Sequence, residues 1–99
     1  MTKLKFLKTL QSVIQDRLDN PRDGSYTARL AKKGQLKVAQ KLGEEAVELA
    51  LASVAEDDDR VTNEAADLLY HLLVLLSMRD IIFSDVVAEL EQRHKDAKN

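Results

Sequence analysis

Five carboxylates carry a spacing that could do chemistry: Glu44, Glu45 and Glu48 in one group, Glu64 and Asp67 in another. Glu45 and Glu48 are three residues apart, as are Glu64 and Asp67, so on a helix each pair shares a face one turn long. Set opposite each other, the pairs would hold four like charges in a small volume, and their pKa values would rise unless cations lay between them. An all-oxygen donor set selects hard ions, so Mg2+ is the expected cofactor and Mn2+ the alternative, rather than zinc. Glu44 stands at the edge of this group, as an outer ligand, an orienter of one, or a base for an attacking water.

Magnesium keeps several waters and takes substrate phosphates as its remaining ligands, so the metal reading also selects a polyphosphate substrate. Lys37 and Lys41 fall on the same helical stripe as the acids, within an arc of roughly 100° at about 100° per residue, and Arg29, Lys32 and Lys33 lie just upstream. These are the candidate cations for the phosphates. The competing reading is a solvated face on which Lys41 pairs with its acidic neighbours, and Lys32 and Lys33 fit that reading better. Asp67 argues against it. It is followed at once by a leucine-rich stretch in which a free carboxylate would be badly desolvated, so a metal or an arginine must compensate it.

The elements that would position these groups are helical. Leu4, Leu7, Leu10, Ile14 and Leu18 repeat at three and four residues and predict a first helix from about Thr2 to Leu18. Pro21 and Gly24 end it in a loop. Ser25 or Thr27 caps a short turn through Lys33, Gly34 breaks it, and helix two runs from Gln35 to about Glu56. Gly43, just before the acidic pair, is costly inside a helix and is explained by close helix approach or by room for a ligand. Asp57, Asp58 and Asp59 offer N-caps for helix three, about Arg60 to Arg79, and Ser84 for a last helix to about Lys95, before a polar tail. No stretch alternates long enough for a strand, so the class is all-α with four main helices in one domain over residues 1–99.

Helix three carries Leu68, Leu69, Leu72, Leu73, Val74, Leu75 and Leu76 around its whole circumference, which a chain of 99 residues has few elements to cover. A second copy of the chain is the economical cover, and an obligate homodimer is expected. A net charge of −2 gives no field for nucleic acid or an anionic membrane. The absence of cysteine removes disulfide and thiolate chemistry. The amino-terminal stretch, interrupted by Lys3, Lys5, Lys8, Gln11 and Asp16, reads as neither signal peptide nor membrane span, so the cytoplasm is the default location.

Glu44-Glu45-Ala-Val-Glu48, then fifteen residues, then Glu64-Ala-Ala-Asp67 resembles the EExxE…ExxD signature of the all-α nucleoside triphosphate pyrophosphohydrolases, the MazG-like superfamily. SYTARLAKKG at Ser25 to Gly34, KVAQKLGEEAVELALA at Lys37 to Ala52 and NEAADLLYHLLVLL at Asn63 to Leu76 are similar to the phosphoribosyl-ATP pyrophosphohydrolase family of histidine biosynthesis. That resemblance implies a MazG-like bundle, hydrolysis of phosphoribosyl-ATP between its α and β phosphates, and metal ligands at Glu45, Glu48, Glu64 and Asp67. It matches Glu44 to a motif position of variable role. The cyclohydrolase domain often fused to this family is expected to be absent.

His71, four residues after Asp67, falls on the carboxylate face, as a phosphate contact, an orienter of Asp67, or a hydrogen-bonded core histidine. His94 reads as surface. Tyr26 is a candidate for stacking on the adenine and Arg29 for reaching a phosphate; the competing role of both is to pack their turn onto helix two. Two rivals remain at this level: a sister enzyme acting on another nucleoside triphosphate, and a non-enzymatic metal-binding or assembly bundle. Against a di-iron store, the partner three residues after Glu64 is Asp67 and not a histidine.

Overall fold

The computed structural model describes residues 3–97, so Thr2 and the last two residues of the polar tail lie outside the described residues. A short 3-10 turn, Lys3–Lys5, leads into five α-helices: α1 (Phe6–Asp19), α2 (Tyr26–Lys32), α3 (Gln35–Ala55), α4 (Asp58–Met78) and α5 (Phe83–Ala97). The described residues contain no strand.

Each boundary has a local cause. Asn20 closes α1 by donating its backbone N–H to Asp16 O at 2.8 Å, and Pro21 follows. Ser25, not Thr27, caps α2, its hydroxyl accepting the Ala28 N–H at 3.1 Å. Thr27 is instead buried and bonds the Tyr70 hydroxyl. What the sequence suggested as a short turn is thus a two-turn helix. Gly34, at φ +96°, separates α2 from α3 in a conformation that side chains rarely adopt.

Of the three aspartates after α3, Asp57 is the cap, accepting Arg60 N–H at 2.9 Å, while Asp58 and Asp59 sit in the first turn where the helix dipole favours them. Only Glu56 and Asp57 link α3 to α4, so the chain turns straight back and the two 21-residue helices form the most extensive pairing in the fold.

The far end of α4 closes on a Schellman motif. Ile81 N–H reaches Leu76 O at 2.9 Å, Asp80 N–H reaches Ser77 O at 3.0 Å, and Asp80 takes the left-handed φ of 57° usually given to glycine. Gln11 of α1 grips this corner. Its amide donates to Ser77 Oγ (3.1 Å) and Ile81 O (3.0 Å), and its oxygen accepts Phe83 N–H at 2.7 Å. Because Gln11 satisfies that N–H, α5 begins at Phe83, and Ser84 lies inside the helix rather than capping it.

The core is Ile14, Leu30, Val38, Leu73 and Val74, drawn from the first four helices and flanked by residues such as Leu10, Leu18 and Tyr70. None of the leucine-rich run of α4 is left exposed by a single chain: Leu73, Val74 and Leu76 are buried, and Leu68, Leu69, Leu72 and Leu75 are half-buried, because α1 and α3 both pack on α4. The uncovered apolar surface lies elsewhere. On α3, Val38 and Ala52 turn inward with Glu45, whereas Leu36 (86% exposed), Val47, Leu51 and Val54 (88%) occupy the opposite face. Gly43 is on that outer side, with nothing within 4 Å of where a Cβ would stand.

Candidate functional site

The pairing of α3 with α4 brings the two carboxylate groups together. Glu45, Glu48 and Glu64 each offer an oxygen, and these lie within 4.8 Å of one another. Glu45 and Glu64 are buried, at 8% and 4% exposure, while Glu48 opens to solvent. Asp67 is half-buried and outside that three-residue group, yet close enough for its charge to act on Glu45.

Burial pushes the Glu45 carboxyl above the usual carboxylate range, and the charges of Glu48 and Asp67 push it further, with His71 opposing. A hydrogen bond with Glu48 adds to the rise, since two carboxyl groups can share one only when one is protonated. This is a site short of positive charge.

Two cations partly answer that shortage. Lys41 Nζ is 3.9 Å from Glu45 Oε1, one turn away on α3. Arg60 Nη2 is 3.2 Å from Glu64 Oε1, and its Nε is 3.7 Å from Glu56. The arginine pair weighed as the alternative to a metal at Asp67 is found instead at Glu64. Arg60 was not among the sequence candidates, although its position four residues after Glu56 and four before Glu64 was the available signal. Lys37 is half-buried a turn upstream of Lys41 and forms no ion pair among the described residues. Glu44 is exposed, accepts a 3.0 Å bond from the Gln40 amide, and borders an open depression with Gly43, Val47 and Glu48.

Three oxygens from three carboxylates, two of them buried, suit a hard divalent cation that would keep waters in its remaining positions. The same crowding and burial raise the Glu45 carboxyl, and a cation among these oxygens would oppose that rise. Glu45, Glu48 and Glu64 are the residues placed to hold it, with Asp67 beside them.

His71 is buried and both of its nitrogens are engaged. A backbone carbonyl can only accept, so the 2.8 Å contact to Asp67 O puts the proton on Nδ1. The ring's Nε2 lies 2.9 Å from the Tyr26 hydroxyl. Tyr26, Tyr70 and His71 form an aromatic group with centroids 5.6 to 6.1 Å apart, His71 edge-on to both tyrosines. Arg29, exposed, carries its guanidinium over the Tyr26 ring at 6.0 Å. Tyr26 thus ties α2 to α4 through His71, while Arg29 stays on α2 beside the Tyr26 ring. His94 is exposed on α5, away from the carboxylate helices.

Residues 7–94 match the family described as phosphoribosyl-ATP pyrophosphohydrolase. Among curated relatives, a phosphoribosyl-ATP pyrophosphatase of Agrobacterium fabrum is 53% identical over 88% of this chain and 81% of its own length. One of Metallosphaera sedula is also 53% identical, over 90% of this chain and 96% of its own. A histidine biosynthesis bifunctional protein of Campylobacter jejuni is 48% identical over 91% of this chain, which corresponds to 44% of that longer protein.

Proposed function

This chain belongs to the phosphoribosyl-ATP pyrophosphohydrolase family, and from that premise we propose that it hydrolyses phosphoribosyl-ATP between the α and β phosphates, as the second step of histidine biosynthesis. Water supplies the oxygen that replaces the broken bridge, and the products are phosphoribosyl-AMP and pyrophosphate. The observation that carries the reading is the convergence of Glu45, Glu48 and Glu64 within 4.8 Å.

Glu45, Glu48 and Glu64, with Asp67 adjoining, would hold Mg2+, or Mn2+ in its place. Such an ion would supply positive charge to the phosphates and acidity to water. The chain's own part is positioning and charge. Buried Glu45 and Glu64 already offer oxygens within 4.8 Å of one from Glu48, so a cation would meet a donor set that the fold has gathered. Lys41, beside Glu45, and Lys37, a turn earlier, offer positive charge to the polyphosphate. A carboxylate with a raised pKa is a better proton acceptor near neutrality, which favours Glu45 for orienting the water; Glu44, exposed at the rim, is the second candidate.

The uncovered face of α3 supports a homodimer. Leu36, Val47, Leu51 and Val54 project from it around the open Gly43, a shape that admits a helix of a second copy. No helix among the described residues is long and apolar enough to cross a membrane. A nucleotide substrate and a chain without cysteine support a cytoplasmic location.

The test is pyrophosphate release from phosphoribosyl-ATP by the wild type and by Glu48→Ala, each with magnesium and with chelator. Release by the wild type with magnesium alone is expected. Equal release in all four arms would reject the mechanism.

A further inference from the structure

The carboxylates account for only one end of the proposed substrate. Phosphoribosyl-ATP differs from ATP by a second ribose, attached to the purine and ending in a 5-phosphate. That phosphomonoester is a dianion and needs cations of its own, at a distance from the site that takes the triphosphate.

The carboxyl end of α1, the turn after it and α2 enclose a cavity of about 610 Å³, within the size range of small-molecule sites. Arg17, Arg22, Arg29 and Lys32 line it, against Asp23 as its one lining carboxylate. In a chain of net charge −2 this is a local concentration of positive charge. Asp16 orients two of these groups, lying 2.6 Å from Arg17 Nη1 and 3.5 Å from Arg22 Nη2. A guanidinium has five N–H donors, so both arginines keep donors to spare. Leu18, Pro21, Ala28 and Ala31 supply apolar walls suited to the carbon face of a sugar.

The cavity adjoins the carboxylate site through a short chain of contacts. Arg29 lines the cavity and stands over the Tyr26 ring at 6.0 Å; the Tyr26 hydroxyl lies 2.9 Å from His71 Nε2; and His71 Nδ1 lies 2.8 Å from the Asp67 carbonyl. One aromatic ring separates Arg29 from the histidine that is bonded to the Asp67 turn of α4.

We infer that the α1–α2 cavity binds the phosphoribosyl 5-phosphate, with Arg22, Lys32, Arg17 and Arg29 as its cations, while the purine passes Tyr26. The inference rests on the proposed substrate. It assigns discrimination between phosphoribosyl-ATP and plain ATP to residues remote from the bond that breaks.

Two measurements test it. Arg22→Gln with Lys32→Gln removes two exposed cations and leaves the Asp16–Arg17 pair intact. For phosphoribosyl-ATP this double variant is expected to raise KM roughly tenfold, the size of a lost charge-assisted bond, with kcat held within about twofold. Arg22→Lys with Lys32→Arg restores the charge and should restore KM. Separately, ribose 5-phosphate should shift the Gly24 and Ala28 amide signals saturably in the wild type and in Glu45→Gln, but not in the double glutamine variant. Inorganic phosphate should do so more weakly. An unchanged KM in the glutamine variant, or shifts confined to other residues, would overturn the inference while leaving the proposed reaction standing. Failure of the wild type to cleave phosphoribosyl-ATP would instead remove the reaction, and the ribose 5-phosphate titration would still decide whether the cavity binds the phosphomonoester.

Discussion

The Tyr26 hydroxyl lies 2.9 Å from His71 Nε2, and the same ring's Nδ1 donates to the Asp67 carbonyl at 2.8 Å, so α2 is tied to the carboxylate-bearing turn of α4 through one imidazole. Tyr26→Phe would leave the buried Nε2 without its hydrogen-bond partner. A net cost of about 1 to 2 kcal/mol is expected in urea denaturation. Nitrogen NMR should show a proton on Nδ1 in both proteins. A variant as stable as the wild type, or an Nδ1 without a proton, would break the assignment.

Glu45 sets a pH dependence whose sign follows from its raised carboxyl. Burial comes first among the causes, with Glu48 and Asp67 adding to it, His71 opposing, and Lys41 at 3.9 Å. A carboxyl raised on folding penalises the folded state above its folded pKa; the penalty fades as pH falls toward the ordinary value of 4.5. In chelator, Glu45→Gln is therefore expected to melt above the wild type at pH 7, and the gap should close as pH falls toward that value. Magnesium at pH 7 should reverse the order, because only the wild type keeps the full ligand set. A gap that widens on acidification would contradict this account.

The carboxylate pairs were legible in the sequence because three-residue spacing on a helix is a local property, and α3 and α4 needed only a two-residue link to meet. The length of α2 was not. A seven-residue helix is marginal by itself, and it stands because Tyr26 and Thr27 bond His71 and Tyr70 more than forty residues away. The Gln11 clamp on Ser77, Ile81 and Phe83, across 66 to 72 residues, leaves no periodic trace either. The dimer expectation was drawn from the leucines of α4, which one chain largely covers; the apolar surface left exposed is on α3, where Leu36, Val47, Leu51 and Val54 lie opposite Val38 and Ala52.

That α3 face gives a direct test of association. Leu51→Glu places a charge at a position 65% exposed in the single chain, so the fold of one copy should tolerate it. Buried at a helix-to-helix interface, the same charge would be unpaired and strongly unfavourable. Sedimentation at micromolar concentration is expected to show a dimer for the wild type and a monomer for Leu51→Glu, with the helical circular dichroism of the variant retained. A wild-type monomer under those conditions would end the dimer reading.

Arg60 already occupies Glu64, so a metal bound there would compete with it. Its guanidinium lies 3.2 Å from a carboxylate whose side chain is only 6% exposed, while the arginine itself is 53% exposed and shared with Glu56. Removing it strands a buried charge, which for a fully buried pair costs 3 to 5 kcal/mol. Solvent around the arginine screens the pair, so about 1 to 2 kcal/mol is expected for Arg60→Ala in chelator. Magnesium should then recover more stability in the variant than in the wild type, because the ion no longer displaces a resident cation from Glu64. Thermal denaturation of both proteins across a magnesium titration measures this. An equal melting shift in the two would mean that Arg60 stays on Glu64 when metal binds, and that Glu64 is not a ligand.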